Sequence, residues 1–149
     1  METDTADAKL LALRLLSRRE HTRKELRRKL SARGFCPTVV EQLLDWLVER
    51  DYLCDQRFAE AFVRGRSSRG YAPARMVQEL TARGIERELA REIVQGTEPP
   101  DLLERAVEVA RSRSSSRGAE QVYRFLRRRG FDHGVATRAV ASLDGDDCH

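Results

Sequence analysis

The chain has 149 residues, of which 40% are hydrophobic and 35% are charged, and its formal net charge is +4 at pH 7. A chain of this length forms one domain or a short array of small units, and its apolar content excludes a wholly disordered protein. Its three cysteines suit neither a disulfide framework nor a zinc site with four ligands, and no apolar run approaches the roughly 20 residues of a membrane span. We therefore expect a cytoplasmic protein that holds no metal or other cofactor.

Helical periodicity runs through almost the whole chain and predicts nine helices. Apolar residues recur at i, i+3 and i+4, and no segment sustains the period-two alternation that is typical of strands. In chain order, these apolar stripes are Leu11, Leu15 and Leu16; Leu26 and Leu30; Val39, Leu43, Trp46 and Leu47; Phe58, Ala61 and Phe62; Met76, Val77 and Leu80; Leu89 and Ile93; Leu103, Val107 and Ala110; Val122, Phe125 and Leu126; and Val135, Ala139 and Val140. The predicted fold class is therefore all-α.

Residues at the ends of these stripes agree with the same nine helices. Thr22 and Glu25 form a capping-box pattern, in which each side chain satisfies a free backbone donor of the other residue. Five further positions carry residues that suit the start of a helix, namely Pro37, Pro73, Asp55, Asp101 and Asp132.

Three glycines reveal an internal repeat. Gly34, Gly84 and Gly130 each follow a leucine by four residues, lie directly after an arginine and precede an apolar residue; they are separated by 50 and 46 residues. Self-similarity at this period is typical of stacked helical units, and a glycine just past a helix end closes it in the left-handed conformation. Each unit is predicted to run helix, helix, glycine turn, helix.

The sequence thus predicts three tandem three-helix repeats that form an elongated, curved array. The predicted limits are residues 1–53 for the first repeat, with an N-terminal tail over 1–7; 54–97 for the second; and 98–149 for the third, with an acidic C-terminal tail over 144–149. Residues 96–100 contain paired prolines and are the predicted flexible joint between the second and third repeats.

No catalytic arrangement is visible in the sequence. His21, His133 and His149 have no partner at the spacing of a triad or a metal site, and we expect His21 and His133 to cap helices or to be solvated. The chain contains no phosphate-binding glycine loop and no nucleophile elbow. We therefore expect a protein that is not an enzyme.

Clusters of basic residues are the remaining functional signal. They recur on the first two helices of each repeat, whereas Glu41, Asp45 and Glu49 make the first repeat's third helix acidic, and we expect the acidic third helices to turn outward or to meet a partner's basic residues. Ordinary solvated helix faces, or a genomic preference for arginine codons, would explain many single arginines, but a recurring basic side favours a polyanionic partner such as DNA or a DNA-coated protein. The predicted contact residues are Arg23, Lys24, Arg27, Arg28, Arg69, Arg75, Arg124, Arg127 and Arg128.

The aromatic residues do not show a stacking pattern with these basic clusters in the sequence. Trp46, Phe58 and Phe62 fall on apolar stripes, and we expect them to belong to the cores.

Several blocks, in order and at the right spacing, resemble the RecX family of regulatory proteins from about residue 8 to residue 143. The blocks are Arg19-Glu20-His21-Thr22, Glu25-Leu26, Lys29-Leu30 and Arg33-Gly34; then Tyr52-Leu53, Asp55, Arg57-Phe58-Ala59 and Phe62; then Gly70-Tyr71, Arg75, Glu79-Leu80 and Arg83-Gly84-Ile85. Asp51 stands where that family has a glycine, and Cys54 stands where a small polar residue is usual. The third repeat carries the fewest recognisable positions.

The resemblance implies a modulator of the RecA recombinase. Family members are built from three three-helix repeats and bind in the groove of the RecA–DNA filament, where they restrain its ATPase, strand-exchange and co-protease activities. The implied partners are RecA and the RecA–DNA filament, with direct contact to single- or double-stranded DNA left open. From the residues, we expect a monomer, because no exposed apolar face demands a dimer, and we expect no membrane association. From the residues alone, a free-standing DNA-binding protein of helix-turn-helix type and a purely structural scaffold stay open.

Overall fold

The computed structural model describes residues 2–97, 101–114 and 117–146, and these residues form nine α-helices and no strand, which confirms the all-α prediction. The helices are α1 (Glu2–Arg18), α2 (Arg23–Ala32), α3 (Pro37–Glu49), α4 (Asp55–Ser68), α5 (Pro73–Ala82), α6 (Arg87–Thr97), α7 (Leu102–Ser114), α8 (Ala119–Arg128) and α9 (His133–Asp146).

The two predicted tails are wrong where the structure describes them, because residues 2–7 belong to α1 and residues 144–146 belong to α9. Acidic residues near the start of a helix are favoured by its dipole, so the acidic beginning of the chain suits a helix as well as a tail. Ala8 and Ala12 are fully buried and anchor α1 in the first core. The predicted joint at 96–100 lies mostly outside the described residues, since α6 continues to Thr97.

The helices pack as three consecutive groups of three, and each group has its own hydrophobic core. Leu26, Leu30 and Leu44 centre the first core, Met76 and Leu80 the second. Val122, Leu126 and Phe131 belong to the third core. We call the groups unit 1 (α1–α3), unit 2 (α4–α6) and unit 3 (α7–α9), and we keep the limits 1–53, 54–97 and 98–149 as a proposal.

The glycine turns have the predicted backbone conformation. Gly34, Gly84 and Gly130 have φ angles of +87°, +95° and +102°, and each follows the arginine that ends the middle helix of its unit. Asp51, which stands where the resembling family has a glycine, is also left-handed with a φ of +61°. Aspartate tolerates this region better than most residues, so the turn survives without glycine.

The start of α2 holds units 1 and 2 together. The Thr22 hydroxyl accepts from the Glu25 amide at 3.1 Å, which is one half of the predicted capping box, and it donates to the Arg83 carbonyl of unit 2 at 2.7 Å. The Glu25 carboxylate pairs with Arg19 and Arg83. The Arg23 amide donates to Asp55 at 2.9 Å, and Arg57 pairs with Glu20 at 2.6 Å. Three of these hydrogen bonds, together with the ion pair of Glu25 and Arg83, therefore bridge this junction close to the N-terminus of α2.

The junction between units 2 and 3 repeats part of this arrangement. The Ala72 amide, at the N-terminal cap of α5, donates to the Arg129 carbonyl at 2.8 Å, and Ala72 belongs to the hydrophobic core of unit 3. Arg105 of α7 donates to the Ser67 carbonyl. At both junctions the carbonyl acceptor is the residue just before the glycine turn. Within the described residues, every hydrogen bond between units joins neighbours in chain order.

Candidate functional site

The first predicted cluster lies on α2 as two parallel rows, because residues four apart share a helix face. Arg23 and Arg27 form one row, and their guanidiniums reach towards α3. Lys24 and Arg28 form the other row, and both are exposed. The four predicted residues therefore divide into two pairs with different surroundings.

The acidic residues of α3 neutralise the first row. Arg27 donates to Glu41 at 2.5 Å, and Arg23 bonds Glu41 at 3.0 Å and Asp45 at 2.7 Å. The hydrogen bonds from Arg27 and Arg23 lower the pKa of Glu41 to about 2. As expected, Glu41 and Asp45 face outward, with 45% and 66% of their side chains exposed, but they also pair with Arg23 and Arg27 of their own unit.

The second row opens onto a cleft at the junction of units 1 and 2. This junction cleft has a volume of about 710 Å³, and Lys24, Arg28 and Arg83 line it. Glu25, whose side chain is only 11% exposed, lies in it between Arg19 at 3.0 Å and Arg83 at 3.4 Å. Lys24 and Arg28 make no ion pair or side-chain hydrogen bond with any described residue, so their charges are open to a partner.

The second predicted cluster consists of Arg69 and Arg75, which lie in different settings. Arg69 is the C-terminal cap of α4 and is exposed, with no side-chain bond to a described residue. Arg75 pairs with Glu79 one helical turn away at 3.0 Å, and its stem packs against the Gly130 turn of unit 3.

The third predicted cluster is exposed on α8. Arg124 pairs with Glu120 at 2.5 Å, and Arg127 donates weakly to the Phe131 carbonyl at 3.4 Å. Arg128 makes no such bond among the described residues. Of the nine predicted residues, those without a described partner are therefore Lys24, Arg28, Arg69 and Arg128.

Arginine side chains and aromatic rings alternate across units 2 and 3, contrary to the expectation from the sequence. Guanidinium carbons lie 4.2–5.0 Å from the ring centroids that they cover. The order is Arg83, Phe62, Arg66, Tyr71, Arg129, Phe125 and Arg113, and we call this set the arginine–aromatic row.

Helical spacing could have revealed only part of this row. Phe62 and Arg66 are four residues apart on α4, as Phe125 and Arg129 are at the end of α8, but the contact between Arg129 and Tyr71 joins two units. Phe58 is buried as predicted, whereas Phe62 is only partly buried. Trp46 is also half-buried and lies beneath the Lys9 ammonium at 4.0 Å.

His21 is a buried structural residue, so the expected capping or solvated role is wrong. It is 1% exposed; its Nδ1 lies 3.1 Å from the Arg19 carbonyl and its Nε2 lies 2.9 Å from the Lys29 ammonium. A carbonyl accepts and an ammonium donates, so this geometry requires a neutral ring with the proton on Nδ1. Burial first, and the nearby cations Arg19 and Lys29, lower the pKa of His21.

Cys36 is an exposed thiol at the N-terminal cap of α3. Hydrogen bonds from the backbone amides of Thr38 and Val39 lower its pKa. In the described part of the chain, no three histidine, cysteine or acidic side chains are grouped as a metal site would need. None of the described helices is long and apolar enough to cross a bilayer.

Comparison with known proteins identifies the family of this arrangement. Two family models match in succession, the first three-helix domain of RecX over residues 8–47 and the second three-helix domain of RecX over residues 55–93. The regulatory protein RecX of Halorhodospira halophila is 42% identical over 142 residues, which cover 91% of this chain and 88% of the relative. The chain belongs to the RecX family.

Two further comparisons extend the RecX likeness along the chain. The regulatory protein RecX of Chromohalobacter salexigens is 41% identical over 146 residues, which cover 95% of both chains. The crystal structure of RecX from Lactobacillus salivarius superimposes with a TM-score of 0.77 over 97% of this chain and 99% of that one, at 22% identity. The matched length includes unit 3, so the RecX fold accounts for all three units.

Proposed function

We propose that this RecX-family protein binds the RecA recombinase and the RecA–DNA filament, and that it modulates, mainly inhibits, RecA's ATPase, strand-exchange and co-protease activities in DNA repair and the SOS response. The observation that carries the proposal is family membership, since relatives of similar length are named regulatory proteins. The protein would act as a cytoplasmic monomer by binding alone, without catalysing a reaction.

The arrangement of units supports binding to a filament. An array whose units contact mainly their neighbours offers an extended surface to a repeating partner. Several weak contacts on one array add through effective concentration once the first contact has formed. The open charges of Lys24, Arg28, Arg69 and Arg128 lie in all three units, so each unit has a cation for an acidic partner.

One titration tests the choice of partner. The labelled protein is added to RecA alone, to naked DNA and to the assembled RecA–DNA filament, and we expect the filament to bind far more tightly than either component. Binding to duplex DNA alone, with a salt slope near 0.9 per phosphate contact, would instead identify a helix-turn-helix DNA reader. A protein that binds none of the three would instead be a structural scaffold.

A charge reversal tests the junction cleft. The double variant Lys24→Glu/Arg28→Glu removes two open cations, and exposed charge contacts are worth about 0.2–1 kcal/mol each, so affinity for the filament should fall on the order of tenfold. The matched control is Arg87→Glu/Arg91→Glu, which reverses two exposed arginines on α6. Inhibition of RecA's ATPase is the second readout. If both double variants inhibit as well as the parent protein, the cleft is not the contact surface.

A further inference from the structure

The arginine–aromatic row runs from one unit junction to the other. Arg83, at one end of the row, lines the 710 Å³ junction cleft of units 1 and 2. Arg113 and Phe125, at the other end, line a second cleft of about 210 Å³ between units 2 and 3, together with the exposed Arg69. A continuous line of cations therefore links two clefts that the fold forms at equivalent places.

Most hydrogen-bond donors of this row are unused within the described part of the chain. A guanidinium has five N–H groups in its plane, and stacking on a ring occupies its face rather than these donors. Arg66 and Arg83 each direct only Nε to a glutamate, at 3.0 and 3.4 Å. Arg113 and Arg129 have no ion pair with a described residue, and the Arg129 Nε is buried without a hydrogen-bond partner.

The spacing of these cations favours an anion. Arg66 and Arg83 lie 5.0 and 4.8 Å from the centroid of the Phe62 ring that they share, so their guanidinium carbons are at most about 10 Å apart. Like charges at this separation repel, and the repulsion is larger where the side chains are partly buried. Only two of the four guanidiniums have a carboxylate beside them, so the row as a whole carries uncompensated positive charge.

The rings identify which part of a nucleic acid this row would bind. A base needs an open aromatic face for stacking. Phe62, Tyr71 and Phe125 are each covered by two guanidiniums, which leaves little ring surface for a base. The guanidinium edges remain, and their planar fork matches a phosphate. Because Arg66 is only 23% exposed, a thin and flexible strand reaches it more readily than a rigid duplex does.

We propose that the arginine–aromatic row and the two clefts at its ends bind the phosphodiester backbone of a single DNA strand without reading its sequence. This inference rests on the proposed function, because it identifies DNA as the part of the RecA–DNA filament that units 2 and 3 contact.

The test is a salt titration of the full-length protein. Fluorescence anisotropy follows the binding of a labelled thymidine 20-mer to the parent protein, to Arg113→Gln/Arg129→Gln and to the control Arg87→Gln/Arg91→Gln, which makes the same change of charge on α6. Each phosphate contact to a single strand contributes a slope of about 0.7, so loss of two contacts should lower the slope by about 1.4 in the first variant. The control should keep the parent slope.

A second measurement does not depend on the variants folding. Hydroxyphenylglyoxal modifies accessible arginines of the parent protein, and mass spectrometry gives its rate with and without the 20-mer. We expect the oligonucleotide to protect Arg113 and Arg129 at least several-fold and to leave Arg87 and Arg91 unchanged. Equal protection of all four arginines would overturn the proposal, as would a row variant whose slope matches the control.

Two further arms distinguish the possible occupants. In one arm, polyglutamate of matched charge competes with the oligonucleotide. If it displaces the oligonucleotide, and if the salt slope of its own binding falls equally in the row variant, the row binds an acidic protein surface and the proposal is wrong. A protein that binds the oligonucleotide through the row but ignores RecA would defeat the proposed function and support this inference. If the protein binds the RecA–DNA filament but the row variant keeps the parent's salt slope, the proposed function is supported and this inference is wrong.

Discussion

Substitution of two matched glycines by alanine isolates the contribution of a unit junction to stability. Gly34 and Gly84 follow C-cap arginines of nearly identical backbone, with φ of −85° at both Arg33 and Arg83, and both glycines are left-handed. They differ in their surroundings. A Cβ at Gly34 would meet nothing within 4 Å, whereas a Cβ at Gly84 would lie 2.5 Å from the Cβ of Lys24.

The two variants should therefore lose different amounts of stability. Gly34→Ala has only the left-handed conformation to accommodate, at about 1–2 kcal/mol. Gly84→Ala has the same cost and an overpacking cost of about 1–3 kcal/mol, because a Cβ is fixed to its backbone and the two units must separate. For a chain of this size, each kcal/mol lowers Tm by roughly 2–4 °C.

The assay is urea and thermal unfolding followed by circular dichroism at 222 nm, with both variants and the parent protein under one buffer. The expected order of stability is parent, then Gly34→Ala, then Gly84→Ala. Gly130→Ala should behave like Gly84→Ala, since its Cβ would lie 2.6 Å from that of Arg75. Equal losses of stability in Gly34→Ala and Gly84→Ala would refute the argument, because the junction would then accommodate the added methyl group without a loss of packing energy.

Three other predictions concern titration and charge. The lowered pKa of His21 keeps its ring neutral in the folded protein, so the unfolded chain binds more protons at acidic pH. The urea midpoint should therefore fall as the pH drops below about 6.5 towards 5. His21→Gln should flatten this fall, and an unchanged pH profile would assign the fall to another group. The lowered pKa of Cys36 increases its thiolate fraction, so Cys36 should react with iodoacetamide at pH 7.5 faster than Cys54 does. Peptide mass spectrometry measures both rates, and equal rates would contradict this reasoning. Glu41→Gln should free Arg27 from its ion pair and leave Arg23 with Asp45 as its carboxylate partner, so affinity for the RecA–DNA filament should rise several-fold. The exposed control Glu49→Gln should raise it less, and equal gains would show that the net charge alone matters.

The fold could be predicted from the sequence because every unit repeats the same local signals. The period of the apolar residues predicts the helices, and the glycines at 34, 84 and 130 predict the turns. Both signals are local in sequence, so the helices and turns can be predicted without knowledge of tertiary contacts. The ends of the chain were mistaken because acidic composition describes both a tail and a helix N-terminus. Composition cannot show that Ala8 and Ala12 would be buried against other helices of unit 1.

The candidate surface was only partly predictable, since the free charge of an arginine depends on its tertiary neighbours. Arg23 and Glu41 are 18 residues apart, and nothing in their spacing shows that the α2–α3 packing joins them. The arginine–aromatic row was missed for the same reason, because Tyr71 and Arg129 meet only after units 2 and 3 have docked. His21 is similar, since its partner Lys29 becomes visible only with the fold.

The carbonyls before the glycine turns at Gly84 and Gly130 have a consequence for how such a protein evolves. The Arg83 carbonyl accepts a hydrogen bond from the Thr22 hydroxyl, and the Arg129 carbonyl accepts one from the Ala72 amide, so both acceptors belong to the main chain. A main-chain acceptor persists whatever residue occupies position 83 or 129, so both arginines can diverge without loss of these acceptors. The donor at the second junction is also a main-chain group, whereas the first junction needs a hydroxyl at position 22. Neighbouring repeats can then acquire different surfaces without loss of the contact that joins them.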